Sequence, residues 1–420
     1  MKRLVSLFIF CFTTQLQAVE NAEALFKQLA PSLYQIKLID IASGEKSSIG
    51  SGFQITEDGL VATNYHVISG YARHPEKYKM QYLDQQGNSG ELLLKSVDVI
   101  NDLALVKRTV SAPMPYFKIS QDTPIKGEEL YSLGNPHDLG MIVVPGTYNG
   151  LKAESFNDRI HFTGSVNSGM SGGPVVNKAS EVVGINVATS GNQIGFLVPH
   201  DKLKILFKQF QSAPPNNIKQ QMAEQLSAYQ QKLTEQVLAA DWQLKRLGQG
   251  NAIIPTIDLP YIRCWGNSNA DKKDDLYFTV IANCTLDENT YIEGNFFTGS
   301  LEMEYRYLQA KELSDTKFYH LYKQRIRQVG PNNQAGKDHV GEFQCHHDIV
   351  SPNNHAISNK TIFCTRAYKD FPKLFDVIYL AASVDKHDKA LISHFTMSGV
   401  EQKNALLFTK KFMEAVSWEQ

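Results

Sequence analysis

The residues best suited to chemistry lie in Gly169-Met170-Ser171-Gly172-Gly173-Pro174. A serine among glycines, followed by the apolar pair Val175-Val176, predicts a tight turn ahead of a buried strand, with the hydroxyl held out into a cleft. Such a turn can aim the backbone N–H groups of Gly169 and Ser171 at one point beside that hydroxyl, where acyl transfer develops negative charge on oxygen. Glycine at 169 keeps a side chain out of the approach. Glycine-serine turns are common, so the reading depends on a base and an orienting carboxylate elsewhere in the chain. His66 stands in Thr63-Asn64-Tyr65-His66-Val67-Ile68, and Asp102 opens Asn101-Asp102-Leu103-Ala104-Leu105-Val106-Lys107. Taken singly, the first reads as a structural or surface histidine and the second as a strand-start aspartate. Taken together, in the order His, Asp, Ser and each at the edge of an apolar strand, they are what a serine nucleophile needs. A neutral imidazole takes the hydroxyl proton, and a buried carboxylate fixes its tautomer and stabilises the imidazolium.

The elements that must position them are mostly short strands. Residues 21–30 read as a short helix stopped by Pro31. Gly50 to Ile55 and Leu60 to Thr63 flank Glu57-Asp58-Gly59, an Asp-Gly hairpin signal that leads straight to His66. Further strands are expected at 80–83, 91–97, 103–106, 129–133, 141–144, 160–163, 174–176, 182–188 and 194–198, with a closing helix at 201–210 before Pro214-Pro215. Many short strands with little helix mean a sandwich or a pair of barrels.

Several motifs carry a family resemblance. They are Gly50-Ser51-Gly52-Phe53, Thr63-Asn64-Tyr65-His66-Val67, Asp98 with Asp102 to Lys107, Leu133-Gly134-Asn135-Pro136, Asn167 to Pro174, Gly184-Ile185-Asn186 and Ile194 to Pro199. In this order they resemble a trypsin-like peptidase domain of the HtrA/Deg type over residues 31–212. The resemblance implies a mainly β fold, a double β-barrel with the active site in the crevice between barrels. It implies His66 as general base, Asp102 as its orienter in preference to Asp98, Ser171 as nucleophile, and the N–H groups of Gly169 and Ser171 as the oxyanion hole. It also sets the base of the primary specificity pocket near Ser165, with Val166 and Asn167 beside it. None of these is acidic, so small or medium apolar side chains are the expected preference. Asn186, Val187 and Ala188 form the expected wall for strand addition by an extended substrate. A domain that usually follows in the family, the PDZ module, is not recognisable here.

A chain of 420 residues suggests two or three domains. Its 42% hydrophobic and 20% charged residues are ordinary for a folded protein, and a formal net charge of −1 gives no footprint for nucleic acid. Met1-Lys2-Arg3, the apolar run Leu4 to Phe12 and the stretch Thr13 to Ala18 read as a signal peptide over 1–18, too short for a bilayer anchor. The expectation is an exported protein, periplasmic or secreted, with no transmembrane anchor after cleavage, acting on protein or peptide substrates without a cofactor or metal. Of five cysteines, Cys11 lies in that leader and four remain, Cys264, Cys284, Cys345 and Cys364. An even number in an exported chain favours disulfides. Three connectivities exist, and the sequential one, Cys264–Cys284 with Cys345–Cys364, is the expected pairing. Each bond would close a loop of about 20 residues and stabilise by roughly 3 kcal/mol.

The domain plan is therefore a peptidase domain at 19–213, a helical linker at 214–249 and an α+β disulfide-bearing domain at 250–420. Apolar residues at helical spacing from Ile218 to Leu247, stopped by Gly248, predict one long helix of roughly 45 Å. Leu301 to Tyr307 alternates as a half-buried strand, 276–282, 361–367 and 392–397 read as further strands, and 404–418 reads as an amphipathic last helix. Cys345-His346-His347-Asp348 resembles a metal cluster, but consecutive histidines in a strand face opposite ways, so a structural role is the expected one. The rival functional reading is a catalytically idle trypsin-like protein whose C-terminal domain captures a protein or lipid partner.

Overall fold

The structure, a computed structural model, describes residues 17–189, 194–248, 252–286, 288–352 and 357–419, with no description of the side chains of residues 17–21, 188 and 189. All but the last two residues of the expected leader lie outside this set. The chain divides into two compact units: residues 1–95, 104–151 and 159–212 form the first, and 96–103, 152–158 and 213–420 the second.

After helix α1 (Gln17–Leu29), six strands close a barrel: β1 (Leu33–Asp40), β2 (Lys46–Gln54), β3 (Leu60–Thr63), β4 (Tyr78–Leu83), β5 (Ser89–Asp98) and β6 (Leu103–Arg108), in the order β1-β2-β3-β6-β5-β4. The Asp-Gly signal is realised as the β2–β3 hairpin, with Phe53 opposite Ala62 and Gly59 at φ 90°. Between β3 and β4 lies helix α2 (Tyr65–Arg73), which buries Tyr65, Val67 and Ile68. The strand reading missed it, because three apolar residues in four do not separate a short helix from a strand. A second closed barrel follows: β7 (Glu129–Gly134), β8 (Ile142–Leu151), β9 (Ile160–Thr163), β10 (Pro174–Val176), β11 (Val182–Thr189) and β12 (Gly195–Pro199), in the order β10-β11-β12-β9-β8-β7. Leu130, Phe162, Val166, Met170, Val175, Val183 and Leu197 fill it. Helix α3 (His200–Ser212) closes the first unit. The double β-barrel expected from the sequence is the observed fold.

Helix α4 (Ile218–Ala239) opens the main run of the second unit, with Asn217 accepting from the Gln220 N–H as its N-cap. It ends eight residues short of Leu247. Residues 242–247 instead form strand β13 (Trp242–Leu247), paired along its length with β14 (Ala252–Ile257). Leu244 and Leu247 fit helical spacing, but a neighbouring strand supplies hydrogen bonds that the local pattern could not reveal. The indole N–H of Trp242 and the ammonium of Lys411 donate to the last-turn carbonyls of Val237 and Leu238, at 2.8 and 2.7 Å. The linker expected over 214–249 is thus a helix followed by a sheet strand.

Seven more strands and a helix then precede the last two strands of the main sheet. They are β15 (Ile262–Ser268), β16 (Tyr277–Leu286), β17 (Thr290–Glu293), β18 (Phe296–Thr298), β19 (Leu301–Ala310), α5 (Asp315–Arg327), β20 (Gln344–Val350) and β21 (Asn359–Ala367). With β22 (Leu374–Ser383) and β23 (Lys389–Glu401) they build a seven-stranded antiparallel sheet, order β15-β16-β19-β23-β22-β21-β20, while β17 and β18 pair separately. Helix α6 (Gln402–Ala415) lays Phe408 and Phe412 on Phe395 of β23. It stops before the expected end, because Ser417–Trp418 form a short strand, β24, against β14. The two disulfides are Cys264–Cys284 and Cys345–Cys364, each between directly opposed residues of an outermost strand pair. They staple both edges of the sheet. Cys345 is therefore engaged with Cys364 and sits on an exposed edge strand with His346 and His347.

The segments 96–103 and 152–158 are held inside the second unit by specific bonds. Gln221 accepts from the Val97 N–H and donates to Ser96 Oγ, and Gln225 accepts from the Val99 N–H and donates to the Val97 carbonyl. Glu288 accepts from Ser155 Oγ and from the Asn157 N–H, and Phe156 packs edge-on against Tyr229 and Tyr261.

On β23 His394 is buried, its Nε2 3.0 Å from Thr396 Oγ1, and burial pushes its pKa down to about 4. The unfolded chain then binds a proton that the folded one refuses between the ordinary value near 6.5 and about 4. Stability therefore falls as pH drops through that window and levels off below it, by on the order of 3 kcal/mol in all. Replacing His394 with Gln should flatten the midpoint of thermal unfolding over this range. An unchanged slope would show that other groups govern it.

Candidate active site

Ser171 is positioned by its backbone. Its carbonyl accepts from the Ser51 N–H at 2.7 Å, which ties the serine turn of the second barrel to β2 of the first. Gly172 follows at φ 83°, a left-handed conformation that glycine adopts without strain. A Cβ there would strike the Ser51 carbonyl and Thr63 Oγ1 and lie 2.9 Å from the Asn64 nitrogen. A Cβ on Gly50 would meet Val67 Cγ2 at 2.5 Å and the Ser171 carbonyl at 3.1 Å. The serine turn thus rests on Asn64 and shares a neighbour with Val67, the residues on either side of Tyr65-His66. His66 is half-buried in the first turn of α2. In the β3–β6 pair Thr63 lies opposite Ala104. Asp102 is buried and holds φ 62°, in the region that aspartate tolerates better than most residues.

The turn that precedes the serine is equally constrained. The Met170 N–H donates to the Asn167 carbonyl at 3.0 Å, and Gly169, third of these four residues, has φ 93°. These are the marks of a type II turn whose central peptide joins Ser168 to Gly169. The Ser168 carbonyl accepts from the His137 N–H at 2.9 Å. In a trans peptide the N–H points opposite to the C=O, so the Gly169 N–H is directed away from His137. The Gly169 carbonyl accepts from Ser51 Oγ at 2.7 Å, and the same Oγ accepts from the Asn135 N–H at 3.0 Å. The Met170 carbonyl accepts from the Gly173 N–H at 3.0 Å, which by the same rule turns the Ser171 N–H to the opposite side. Met170 itself is buried in the barrel core and anchors the turn from below. The Ser171 hydroxyl donates to the Val187 carbonyl at 3.2 Å, long for an O–H···O bond and so a weak restraint on its rotation.

The expected specificity residues separate by orientation. Ser165 and Asn167 are exposed, whereas Val166 packs in the barrel core, where its Cγ2 lies 2.8 Å from where a Cβ on Gly195 would stand. Asn186 is buried, with its amide donating to the Leu133 carbonyl and accepting from Ser132 Oγ. Its backbone exchanges bonds with Gly172 and Gly173, so it is a support beneath the serine turn and its side chain offers nothing to a substrate. Val187 sits at the β11 register shift between Asn186 and Ala188, with its carbonyl beside Ser171. The side chain of Ala188 lies outside the described residues. Sequence reasoning missed Ser51 and the 135–138 turn as supports. Ser51 and Asn135-Pro136 lie within the family motifs and His137-Asp138 beyond them; the signal was a serine between two glycines and an Asn-Pro turn, neither of which states what it will hold.

Residues 50–185 match the family described as trypsin-like peptidase domain. The chain is 32% identical over 195 residues to the serine protease HTR4 of Rattus norvegicus, covering 43% of this chain and 38% of that protein. It is 31% identical over 173 residues to the serine protease HTRA3 of Homo sapiens, covering 39% of this chain and 38% of that protein. Among solved structures, the serine endoprotease from Yersinia pestis is similar at 26% identity and a TM-score of 0.40, over 46% of this chain and 67% of that one. The chain spans about two fifths of the length of the curated relatives it matches. Where the motifs and the pair of six-stranded barrels coincide, residues 50–185 match the trypsin-like peptidase domain family, and the chain is similar there to part of the HtrA serine proteases.

Proposed function

We propose that the chain is an exported serine endopeptidase that cleaves unfolded or exposed protein segments through a Ser171–His66–Asp102 triad. The observation that supports this reading is the Ser171–Gly172 turn lying against Asn64, two residues before His66, with the Ser171 carbonyl bonded to the Ser51 N–H. Ser171 Oγ attacks the scissile carbonyl and its proton passes to the His66 imidazole, whose positive charge the Asp102 carboxylate stabilises. The Gly169 and Ser171 N–H groups receive the oxyanion. Collapse of the tetrahedral intermediate breaks the C–N bond, and the departing amine takes the proton from His66. Water, deprotonated by His66, then hydrolyses the acyl-enzyme and restores the serine. The basic and apolar N-terminus and the two disulfides support export to the periplasm or outside the cell, where such bonds persist.

Fluorophosphonate should label Ser171, Ser171→Ala should abolish labelling and casein turnover, and His66→Ala should slow turnover by about a thousandfold or more. Labelling that survives Ser171→Ala would refute the assignment. A peptide-library profile should favour small or medium apolar residues before the cleaved bond, because Ser165, Val166 and Asn167 offer no counter-charge. A profile dominated by arginine or lysine would overturn that preference.

A further inference from the structure

Two consecutive non-glycine residues, His137 and Asp138, hold left-handed backbone with φ 51° and 61°. L side chains adopt that conformation when the surroundings impose it. Here the Asp138 carboxylate is gripped from two paired strands of the first barrel. Its Oδ1 accepts from Gln35 Nε2 of β1 at 2.5 Å, and its Oδ2 pairs with Lys46 Nζ at the start of β2, also at 2.5 Å. Gln35 is 1% exposed, so packing fixes its end of the anchor, while Lys46 and Asp138 are partly exposed. The turn also reaches the serine loop, through the His137 N–H on the Ser168 carbonyl.

We propose that Asp138 is a positioning residue: pinned by Gln35 and Lys46, it seats the 136–138 turn so that the His137 N–H holds the Ser168 carbonyl and keeps the Gly169 N–H turned toward the reacting oxygen. The proposal rests on reading Gly169 and Ser171 as the oxyanion donors. Its physical basis is the turn itself. Flipping the Ser168–Gly169 peptide converts type II to type I by a coupled rotation of ψ at Ser168 and φ at Gly169, and glycine accepts either sign of φ. Glycine alone therefore does not choose between the two, and an outside hydrogen bond to one carbonyl orientation does. A bond of ordinary net strength shifts such an equilibrium by about five- to tenfold. The flip would put a carbonyl oxygen where a donor is required.

The test uses the full chain with Asp138→Ala, Asp138→Asn and Lys46→Ala, read by kcat and KM on a peptide substrate and by affinity for a peptide boronate. Asp138→Ala should lower kcat and boronate affinity together by about five- to tenfold with KM within about twofold. Asp138→Asn, which keeps an acceptor for Gln35, should lose less. A kcat and boronate affinity within about twofold of wild type, or a rise in KM alone, overturns the proposal. Crystal structures of wild type and Asp138→Ala give a readout that needs no turnover. If wild type proves inactive, the enzyme reading fails, while the positioning role stands if the Ser168–Gly169 peptide is turned over in the variant and falls if it is not.

Discussion

The arrangement of the first unit depends on how closely one backbone approaches another. Ser171 belongs to the second barrel, yet its carbonyl is bonded to the Ser51 N–H of the first, and the turn that follows lies on Asn64. That approach is open only because residues 50 and 172 carry no side chain. The energetic sense of such a contact is that buried backbone groups must be paired, and leaving one unpaired costs about 1–3 kcal/mol. Each barrel therefore completes the hydrogen bonding of the other, and the hydroxyl of Ser51 extends the same logic by serving Asn135 and Gly169 at once.

Around this contact the supports are layered. Met170 plunges into the barrel core and Asn186 bonds the backbone of Gly172 and Gly173 from beneath, so the turn that carries Ser171 is held from both sides. This is the condition for preorganised electrostatics, in which donors are aimed before charge develops and need not reorganise as it does. The same supports explain why Asn186 and Val166, reasonable candidates for touching substrate, are occupied with holding the framework.

The second unit achieves order differently. Its sheet is long, its two outermost strand pairs are cross-linked by disulfides, and its core is rich in aromatic contacts among Tyr305, Tyr379, Phe395, Phe408 and Phe412. Edge strands are the part of a sheet most prone to open or to pair elsewhere, and a covalent staple at each edge counters both. Two glutamines of α4 satisfy the backbone of residues 97 and 99, which carries the chain toward Asp102.

Local sequence determined much of this protein by itself. The Asp-Gly hairpin, the strand rhythm of both barrels, the sequential cysteine pairing and the serine turn were legible because each depends on residues near one another in the chain. Helix α2 and the early end of α4 were not, since short apolar runs satisfy two periodicities and a distant strand decides between them. Tertiary structure alone decided that Ser51 would clamp the turn before Ser171, that Asn186 would support it, and that Asp138 would be gripped by β1 and β2. The Asp138 and Ser51 roles join residues 103 and 118 positions apart through single hydrogen bonds, and no pattern along the chain encodes which carbonyl a given N–H will meet once the barrels close.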